Sequence, residues 1–500
     1  MKQPGLTRHY VREKQCMEDK NMKARNTWRS LAALFALCVA SAVALPAQTF
    51  TVLKKFNGTN GHGSAGPLVQ GLDANLYGTS YAGGTNSHGT IFRISTGGTL
   101  KVLYTFCPQA GCPDGSNPDG GLVLGTDGNF YGTTHQGGAG GGTVFKITPK
   151  GAFTLLYQFC SLSNCADGEL PQGELVQGLD GQFYGTTEGG GTAGNGSVFR
   201  ITSTGGFATT HSFCGFSGCG DGAYPYAGLA LGNDGNFYAT NHSSGTNDWG
   251  TFYQVTPAGT VTTLYNFCVF TNCTDGGYPA SGLVQGNDGE FYGTTAEGGT
   301  PFTQCGSGCG TIFKVTTGGT LTTLHRFDVK DGYLTLDSAS LVQGTDGNFY
   351  GTTGNGGSSK KGTLYQITPG GTFTTLVSLF SSTGDDPAGG LVQATDGNFY
   401  GTTTAAGGSN AGTVFKLSMG LGPFVKTLPT AGKVASAVKI LGTDLTGATA
   451  VTFNGKSATF KVVSATEITT KVPAGATTGP VKVKTPNGKL SSNVPFRVTH

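Results

Sequence analysis

The chain is poor in charged residues and in apolar stretches. Charged residues make up 12% of the 500, about half of the ~25% typical of soluble proteins. Aromatic residues reach 10%, which excludes an intrinsically disordered chain. The 87 glycines do not recur at every third position, so collagen is excluded, and so many glycines are incompatible with a helical bundle. The composition favours a β-rich protein with many tight turns.

Sequence motifs of common enzymes are missing as well. The chain contains no G-x-S-x-G, no H-E-x-x-H and no complete phosphate loop, since Gly455-Lys456-Ser457 lacks the upstream glycine at Ala450. We therefore predict no catalytic residue, no cofactor and no metal site. A calcium alternative rests on the repeated aspartates Asp114, Asp167, Asp221 and Asp275, although Asp-Gly is an ordinary turn sequence.

The N-terminus has the features of a secretory signal peptide. Residues 1–47 contain eight Lys/Arg and three acidic residues, followed by the apolar run Leu31–Ala44 and by small residues. That run of about 14 residues is shorter than the ~20 of a spanning helix. The sequence thus predicts a signal peptide over 1–47 and a secreted protein, extracellular or in the periplasm and cell envelope, without a transmembrane segment after signal removal. Either Met1 or Met22 is the start.

Ten cysteines of the exported part form five close pairs. Four are C-x4-C and one is C-x3-C, which in an exported chain indicates local disulfides, with zinc binding as the alternative. The predicted disulfide cysteines are Cys107, Cys112, Cys160, Cys165, Cys214, Cys219, Cys268, Cys273, Cys305 and Cys309.

Four short strings recur seven times each. They read GLVQG, FYGTT, GTVFK and TLTTLYxF or close variants, with FYGTT returning every 50–58 residues. Asp-Gly-Asn turns such as Asp127-Gly128-Asn129 join the first two strings. Each repeat thus predicts a four-stranded antiparallel meander. Seven of them predict an all-β fold, a seven-bladed β-propeller over 48–419, with the N-terminal strand Thr49–Phe56 closing the last blade.

Successive turns of a meander lie at opposite ends, so the loops sort into two faces. We name them the short-turn face, with the Asp-Gly-Asn turns, and the long-loop face, with the cysteine pairs. In the segment that follows FYGTT, on the long-loop face, the residue type varies between copies. We predict ligand-binding residues there, suited to a polar ligand such as a glycan; freely varying solvated loop residues are the alternative. They are Tyr81, His135, Glu188, Asn241 and Glu297.

The last 81 residues are different. Residues 420–500 hold ten basic and two acidic residues, against 13 and 23 over 48–419. Short alternating segments and the turns Asn454-Gly455 and Asn487-Gly488 predict an immunoglobulin-like β-sandwich over 420–500. Because the predicted propeller is acidic, nucleic acid is not expected as a partner.

Two resemblances follow from these motifs. Residues 442–449 (GTDLTGAT), 451–455 (VTFNG) and 472–481 (VPAGATTGPV) make the tail resemble an IPT/TIG domain. The FYGTT and GTVFK repeats resemble the bacterial "GloVer" tandem repeats of choice-of-anchor proteins. The first resemblance implies an accessory or binding role; the second implies an exported location and no known catalytic residues.

The sequence as a whole predicts a monomeric, non-catalytic binding or scaffolding protein of the cell surface, with an extracellular glycan or envelope component as partner. A polysaccharide-active enzyme, a lyase or hydrolase, is one alternative, and a purely structural surface protein is another. An enzyme would need two or three ionisable side chains within reach of each other on the long-loop face.

Overall fold

The computed structural model of the protein describes residues 48–64, 66–215, 218–299, 305–333, 340–387, 389–405 and 410–499. Strands dominate these residues, and the helices among them are the two 3-10 turns Ser163–Cys165 and Thr271–Cys273. The predicted signal peptide, residues 1–47, lies outside the described part. Within that part, no helix combines the length and the apolar character needed to cross a bilayer.

The repeats form seven antiparallel sheets, which we number as blades 1 to 7. Blades 1 and 2 contain β2 (Val69–Gln70), β3 (Leu76–Ser80), β4 (Thr90–Ile94), β5 (Leu100–Thr105), β6 (Val123–Leu124), β7 (Phe130–Thr134), β8 (Thr143–Ile147) and β9 (Phe153–Gln158). Blades 3 and 4 contain β10 (Val176–Gln177), β11 (Phe183–Thr187), β12 (Ser197–Ile201), β13 (Phe207–Ser212), β14 (Ala230–Leu231), β15 (Phe237–Asn241), β16 (Thr251–Val255) and β17 (Val261–Asn266).

The remaining blades follow the same plan, with one extra strand in blade 5. Blade 5 contains β18 (Gly277–Pro279), β19 (Val284–Gln285), β20 (Phe291–Glu297), β21 (Thr311–Val315) and β22 (Leu321–Arg326). Blade 6 contains β23 (Val342–Gln343), β24 (Phe349–Thr353), β25 (Thr363–Ile367) and β26 (Phe373–Ser378). Blade 7 contains β27 (Val392–Gln393), β28 (Phe399–Thr403), β29 (Thr413–Ser418) and β1 (Thr49–Lys55).

The N-terminal strand closes the ring of blades. β1 pairs antiparallel with β29, from Thr49 opposite Ser418 to Lys55 opposite Thr413. Every neighbouring pair of blades shares one apolar cluster, and the cluster between blades 7 and 1 joins Tyr400 to Leu76. The sheets therefore follow one another around a closed circle, as a propeller requires.

The two aromatic residues of FYGTT hold adjacent blades together. In six interfaces the tyrosine of one blade packs on the phenylalanine of the next, with ring centroids 3.8–4.4 Å apart. In each short turn, the aspartate carboxylate accepts a hydrogen bond from that tyrosine's hydroxyl, as Asp127 does from Tyr131 at 2.8 Å. Gly128, with φ of 90°, makes the tight turn possible. A tyrosine thus fills the wedge between sheets while its polar tip stays satisfied.

A β-sandwich follows the propeller. Its strands are β30 (Lys426–Leu428), β31 (Ala431–Lys433), β32 (Ala437–Leu441), β33 (Ala450–Phe453), β34 (Lys456–Ala458), β35 (Phe460–Val462), β36 (Glu467–Lys471), β37 (Val481–Thr485), β38 (Gly488–Ser491) and β39 (Arg497–Thr499). Two four-stranded sheets, β30-β32-β36-β35 and β34-β33-β37-β38, pack around one apolar core, and β31 pairs with β39. This is the immunoglobulin-like arrangement that the alternating segments predict.

The sandwich packs on the short-turn face of the propeller. Its partners there are short-turn residues of blades 1, 4, 5 and 7, in the pairs Thr466–Leu72, Arg497–Gly232, Asn493–Asn287 and Thr443–Thr395, with donor–acceptor distances of 2.7–3.2 Å. Leu441 adds an apolar contact to the cluster between blades 1 and 2. The C-terminal domain therefore covers one face of the ring.

Candidate functional site

A cavity of about 580 Å³ lies inside the ring of blades. All seven blades contribute to its wall with the segments at their first strands: 67–69, 119–123, 172–176, 226–229, 282–284, 340–342 and 390–392. Leucine and valine side chains form much of this wall, and Asp386 and Thr404 of blade 7 complete it. A volume of this size is typical of small-molecule sites.

Glycines allow the innermost segments to pack backbone against backbone. A Cβ atom on Gly173 would lie 2.3 Å from the Gly228 nitrogen, and one on Gly66 would lie 2.5 Å from the Gly121 nitrogen. Larger residues are therefore excluded where blades 1 to 4 meet near the axis.

One innermost position carries a charge in a single blade. The position before the leucine that recurs in every GLVQG-like string is occupied, from blade 1 to blade 7, by Pro67, Gly121, Glu174, Gly228, Gly282, Ser340 and Gly390. Glu174 lies deep in the ring, enclosed by protein, and part of its side chain borders the cavity. Its Oε1 would be 2.4 Å from a Cβ on Gly121, so the carboxylate lies directly against blade 2.

The Glu174 carboxylate has no hydrogen-bond donor among the described residues, in contrast to the turn aspartates. Burial raises its pKa to about 7 because the charged form is deprived of water. A largely enclosed carboxyl group is unfavourable for folding even when part of it borders a cavity, so its presence indicates another role for this position.

Other polar side chains reach the cavity from the long loops. Asp119 and Gln172 line it, and so does Asp386, which accepts a hydrogen bond from Thr404 Oγ1 at 2.7 Å. Burial raises the pKa of Asp386, and nearby Asp385 contributes in the same direction. No lysine, arginine or histidine is among the described residues that line the cavity.

An aromatic cluster adjoins one side of the cavity. Tyr226 lines the wall and contacts His242 with ring centroids 4.6 Å apart; His242 contacts Tyr278 at 5.0 Å, and Tyr278 contacts Trp249 at 4.6 Å. Burial lowers the pKa of His242 to about 4, so this ring is neutral at pH 7. Through Tyr226, the cluster contributes an aromatic residue to the same wall that contains the carboxylates.

The loops that enter these blades contain backbone strain. The sequence Asp-Gly-x-x-Pro recurs in the long loops, for example from Asp221 to Pro225. The non-glycine residue before this proline, and its counterpart in blade 7, adopts a left-handed backbone conformation with φ of 51–58°. These residues are Asn117, Leu170, Tyr224, Tyr278 and Asp386. Such a conformation costs about 1–2 kcal/mol for each residue. Strained residues of this kind concentrate at functional sites.

The strained loops are tied to the variable position that follows FYGTT. The backbone N–H of His135, Glu188, His242 and Thr404 each donates to the carbonyl of a strained residue, at 2.9–3.1 Å. The recurring proline is the feature of the sequence that marks these strained loops, but a proline by itself does not indicate a functional site.

None of the five predicted ligand-binding residues lines the cavity, and Tyr81 is exposed at the surface. The Glu188 carboxylate accepts a hydrogen bond from the wall residue Gln172 at 2.5 Å. Burial, with a contribution from nearby Asp119, raises the pKa of Tyr81. His135 is more deeply enclosed; burial lowers its pKa, and its Nδ1 atom has no partner within the described structure. Glu297 is half-buried at the end of β20.

Asn241 is the exception, because it belongs to the core. It is fully buried at the end of β15, where the other blades carry a threonine or serine. Its Nδ2 donates to the Asp221 carbonyl at 2.7 Å, so the amide substitutes for a hydroxyl. The variable position of blade 4 is therefore His242, one residue later than the motif pattern suggests.

The ten cysteines form the five predicted local disulfides. In this oxidised form they offer no thiolate to zinc. The aspartate that follows each C-x4-C loop accepts hydrogen bonds within it: Asp167 accepts from the Tyr157 hydroxyl at 2.8 Å and from the Ser161 N–H at 3.0 Å. These carboxylates stabilise the loops, which is a structural role.

Comparisons with known proteins support the fold. A fungal alcohol oxidase of the AA5 family, solved in complex with copper, is similar with a TM-score of 0.50 and 13% identity, covering 90% of this chain and 99% of that one. The extracellular domain of a hybrid two-component system from B. thetaiotaomicron has a TM-score of 0.47 and 10% identity over 74% of this chain and 39% of that chain. Of these two structures, the alcohol oxidase reaches a TM-score of 0.50, and its low identity shows the fold alone. No curated protein sequence matches the chain.

Family models match nearly the whole chain. The Gloeobacter/Verrucomicrobia repeat matches residues 38–231 and 216–415, and the IPT/TIG domain matches residues 424–498. Both resemblances drawn from the sequence motifs are thereby confirmed. The chain belongs to the Gloeobacter/Verrucomicrobia repeat family and carries a C-terminal IPT/TIG domain.

Proposed function

We propose that this protein is an exported binding module whose ligand enters the cavity from the long-loop face. The observation that carries the proposal is the asymmetry of the ring. Its short-turn face is covered by the C-terminal domain, whereas the cavity is lined by segments that begin on the long-loop face. Five disulfides and the signal-like N-terminus support export.

A glycan is the ligand class that suits this wall best. Carboxylates and an amide can accept and donate hydrogen bonds to hydroxyl groups, and the ring of Tyr226 offers a flat face to the apolar side of a sugar. The volume of about 580 Å³ suits a short saccharide rather than a long polymer.

A glycan-array screen of the mature protein, from Gln48 onward, tests the proposal. We expect binding that falls at least tenfold in Tyr226→Ala, which removes the aromatic face inside the cavity. The matched control is Phe270→Ala, which removes an aromatic residue that is 60% exposed in a disulfide loop. Equal loss in both variants, or a folded protein that binds no glycan, would refute glycan binding in the cavity and would favour a structural role.

A polysaccharide lyase or hydrolase is a second candidate. The specific observation in its favour is that two carboxyl groups of one cavity, Glu174 and Asp386, both have raised pKa values, as general acids do. Incubation with any glycan that binds, followed by analysis of chain length, distinguishes the two. Shorter products would establish the enzyme, and unchanged chains would establish the binder.

A further inference from the structure

The cavity has an excess of negative charge that a neutral ligand does not require. Asp119, Glu174 and Asp386 all line it, and no cationic side chain among the described residues lines it with them. Asp386 has a partner in Thr404 Oγ1, whereas burial is the only influence on the pKa of Glu174, which has no hydrogen-bond or charge contribution from any described residue. Glu174 is therefore the group whose hydrogen-bonding capacity remains open.

The position of Glu174 makes it a specific anchor and not a surface charge. It replaces a glycine, proline or serine found at the same position of the other six blades. Its carboxylate lies against Gly121, where any larger residue of blade 2 would collide with it. Among the seven residues at this innermost position, the one in blade 3 is therefore the charged one, and glycine in blade 2 leaves room for its carboxylate.

A partner for this carboxylate has to satisfy three conditions. It must be positively charged, because three acids surround the cavity. It must donate several hydrogen bonds, because the carboxylate has about four acceptor sites. It must be attached to a group that packs beside Tyr226, which offers an aromatic face in the same cavity. A protonated amino group on a sugar ring meets all three.

We propose that the cavity recognises a glycan with a free, protonated amino group, and that Glu174 binds this amino group. The inference rests on the proposed glycan-binding function and specifies its ligand class. An N-acetylated sugar lacks the charge, and an acidic sugar would be repelled by the three carboxylates, so the site discriminates among glycans of equal size.

Three tetrasaccharides with the same β-1,4 backbone test the proposal, since they differ only at carbon 2. They are the glucosamine tetramer (amine), the N-acetylglucosamine tetramer (amide) and the glucose tetramer (hydroxyl). Titration calorimetry is to be run on the mature full-length protein at pH 7, where about half of the Glu174 carboxyl groups are charged, because the pKa of this group is about 7 and most of them would be neutral at pH 6. We expect the amine tetramer to bind at least tenfold more tightly than the other two, the factor expected for a charge-assisted hydrogen bond.

Two variants show whether Glu174 is responsible. Glu174→Gln keeps the size of the side chain and removes its charge, so we expect it to lose the preference for the amine while any binding of the hydroxyl tetramer is unchanged. Glu467→Gln removes the same charge from β36 of the C-terminal domain and should bind like the unmodified protein. Circular dichroism and the thermal unfolding midpoint confirm that each variant is folded.

The possible outcomes separate the two proposals. Equal binding of all three tetrasaccharides, or a preference that survives Glu174→Gln, overturns the role of the amine and leaves glycan binding intact. Binding of none of them by the folded protein overturns the amine proposal. In that case, a lysine-containing peptide is tested next. If it binds and loses affinity in Glu174→Gln, the carboxylate selects amines of proteins and not of sugars. The proposal of glycan binding would then be decided by the array screen alone.

Discussion

Replacement of Glu174 by glutamine should stabilise the protein, with a dependence on pH that follows from the structure. Burial raises the pKa of this group from 4.5 to about 7. Between pH 4.5 and about pH 7, the folded state therefore keeps a proton on Glu174 that the unfolded chain has already lost. Consequently, stability falls as the pH rises from 4.5 to 7, and the full cost is present above pH 7.

The size of the effect can be calculated from the same two values. At ~1.36 kcal/mol for each pKa unit, the interval between 4.5 and about 7 corresponds to about 3 kcal/mol. Part of the Glu174 side chain borders the cavity, so solvent screening reduces the expected gain to about 1–3 kcal/mol. We expect Glu174→Gln to gain this amount at pH 8 and less than about 1 kcal/mol at pH 5.

Guanidinium unfolding with intact disulfides, measured at both pH values, is the assay. Other titrating groups are shared by the two proteins, so the difference between them isolates position 174. Glu467→Gln is the control for loss of one negative charge and should show no such pH-dependent gain. If Glu174→Gln is less stable at pH 8, or equally changed at both pH values, then the carboxylate has a stabilising partner and the argument for an open anchor fails.

Three further predictions concern the scaffold, each read from the free energy of unfolding. Removing the Cys214–Cys219 disulfide with two serines should cost about 2 kcal/mol through the entropy of a six-residue loop, and no change would mean that hydrogen bonds alone hold this loop. Tyr131→Phe should cost about 1–3 kcal/mol because it leaves Asp127 without its hydroxyl donor at 2.8 Å; a neutral result would contradict the turn's role. Burial lowers the pKa of Lys426 from 10.5 to about 8, so the folded state binds its proton less readily and stability should rise with pH between these values. Lys426→Met should therefore stabilise the folded protein by about 1–3 kcal/mol at pH 7 and by much less at pH 11. A variant that is less stable at pH 7 would show that the attraction between Lys426 and Asp396 outweighs the cost of burial.

The expected increase in the free energy of unfolding of Glu174→Gln also bears on the function of this residue. A residue that weakens the folded state persists when function requires it, as active-site residues often do. The left-handed residues of the long loops, such as Leu170 and Tyr224, add a second cost in the same region. Both costs lie on the long-loop face, and the short-turn face has regular turns with satisfied aspartates.

Local patterns were sufficient for the blades, the disulfides and the closing strand. Alternation with a period of two, Asp-Gly turns and cysteines four or five residues apart reflect interactions between near neighbours in the chain, so they are visible in the sequence. Two predicted residues differ in register from the rest. Asn241 is the last residue of the blade 4 string, where an amide replaces a hydroxyl in a core hydrogen bond, and Glu297 lies one residue beyond the position that follows FYGTT in blade 5.

The sequence by itself determined the repeat, its strands, the two unequal faces and the change to a basic C-terminal domain. Only the tertiary structure decided which face that domain covers, and which residues meet at the axis. The sequence does not distinguish Glu174 from other polar loop residues, because its importance depends on Gly121 of blade 2, which lies 53 residues earlier, and on the absence of a cationic side chain among the described residues that line the cavity. Contacts of this kind join segments that are distant in the chain, and they exist only once the ring has closed.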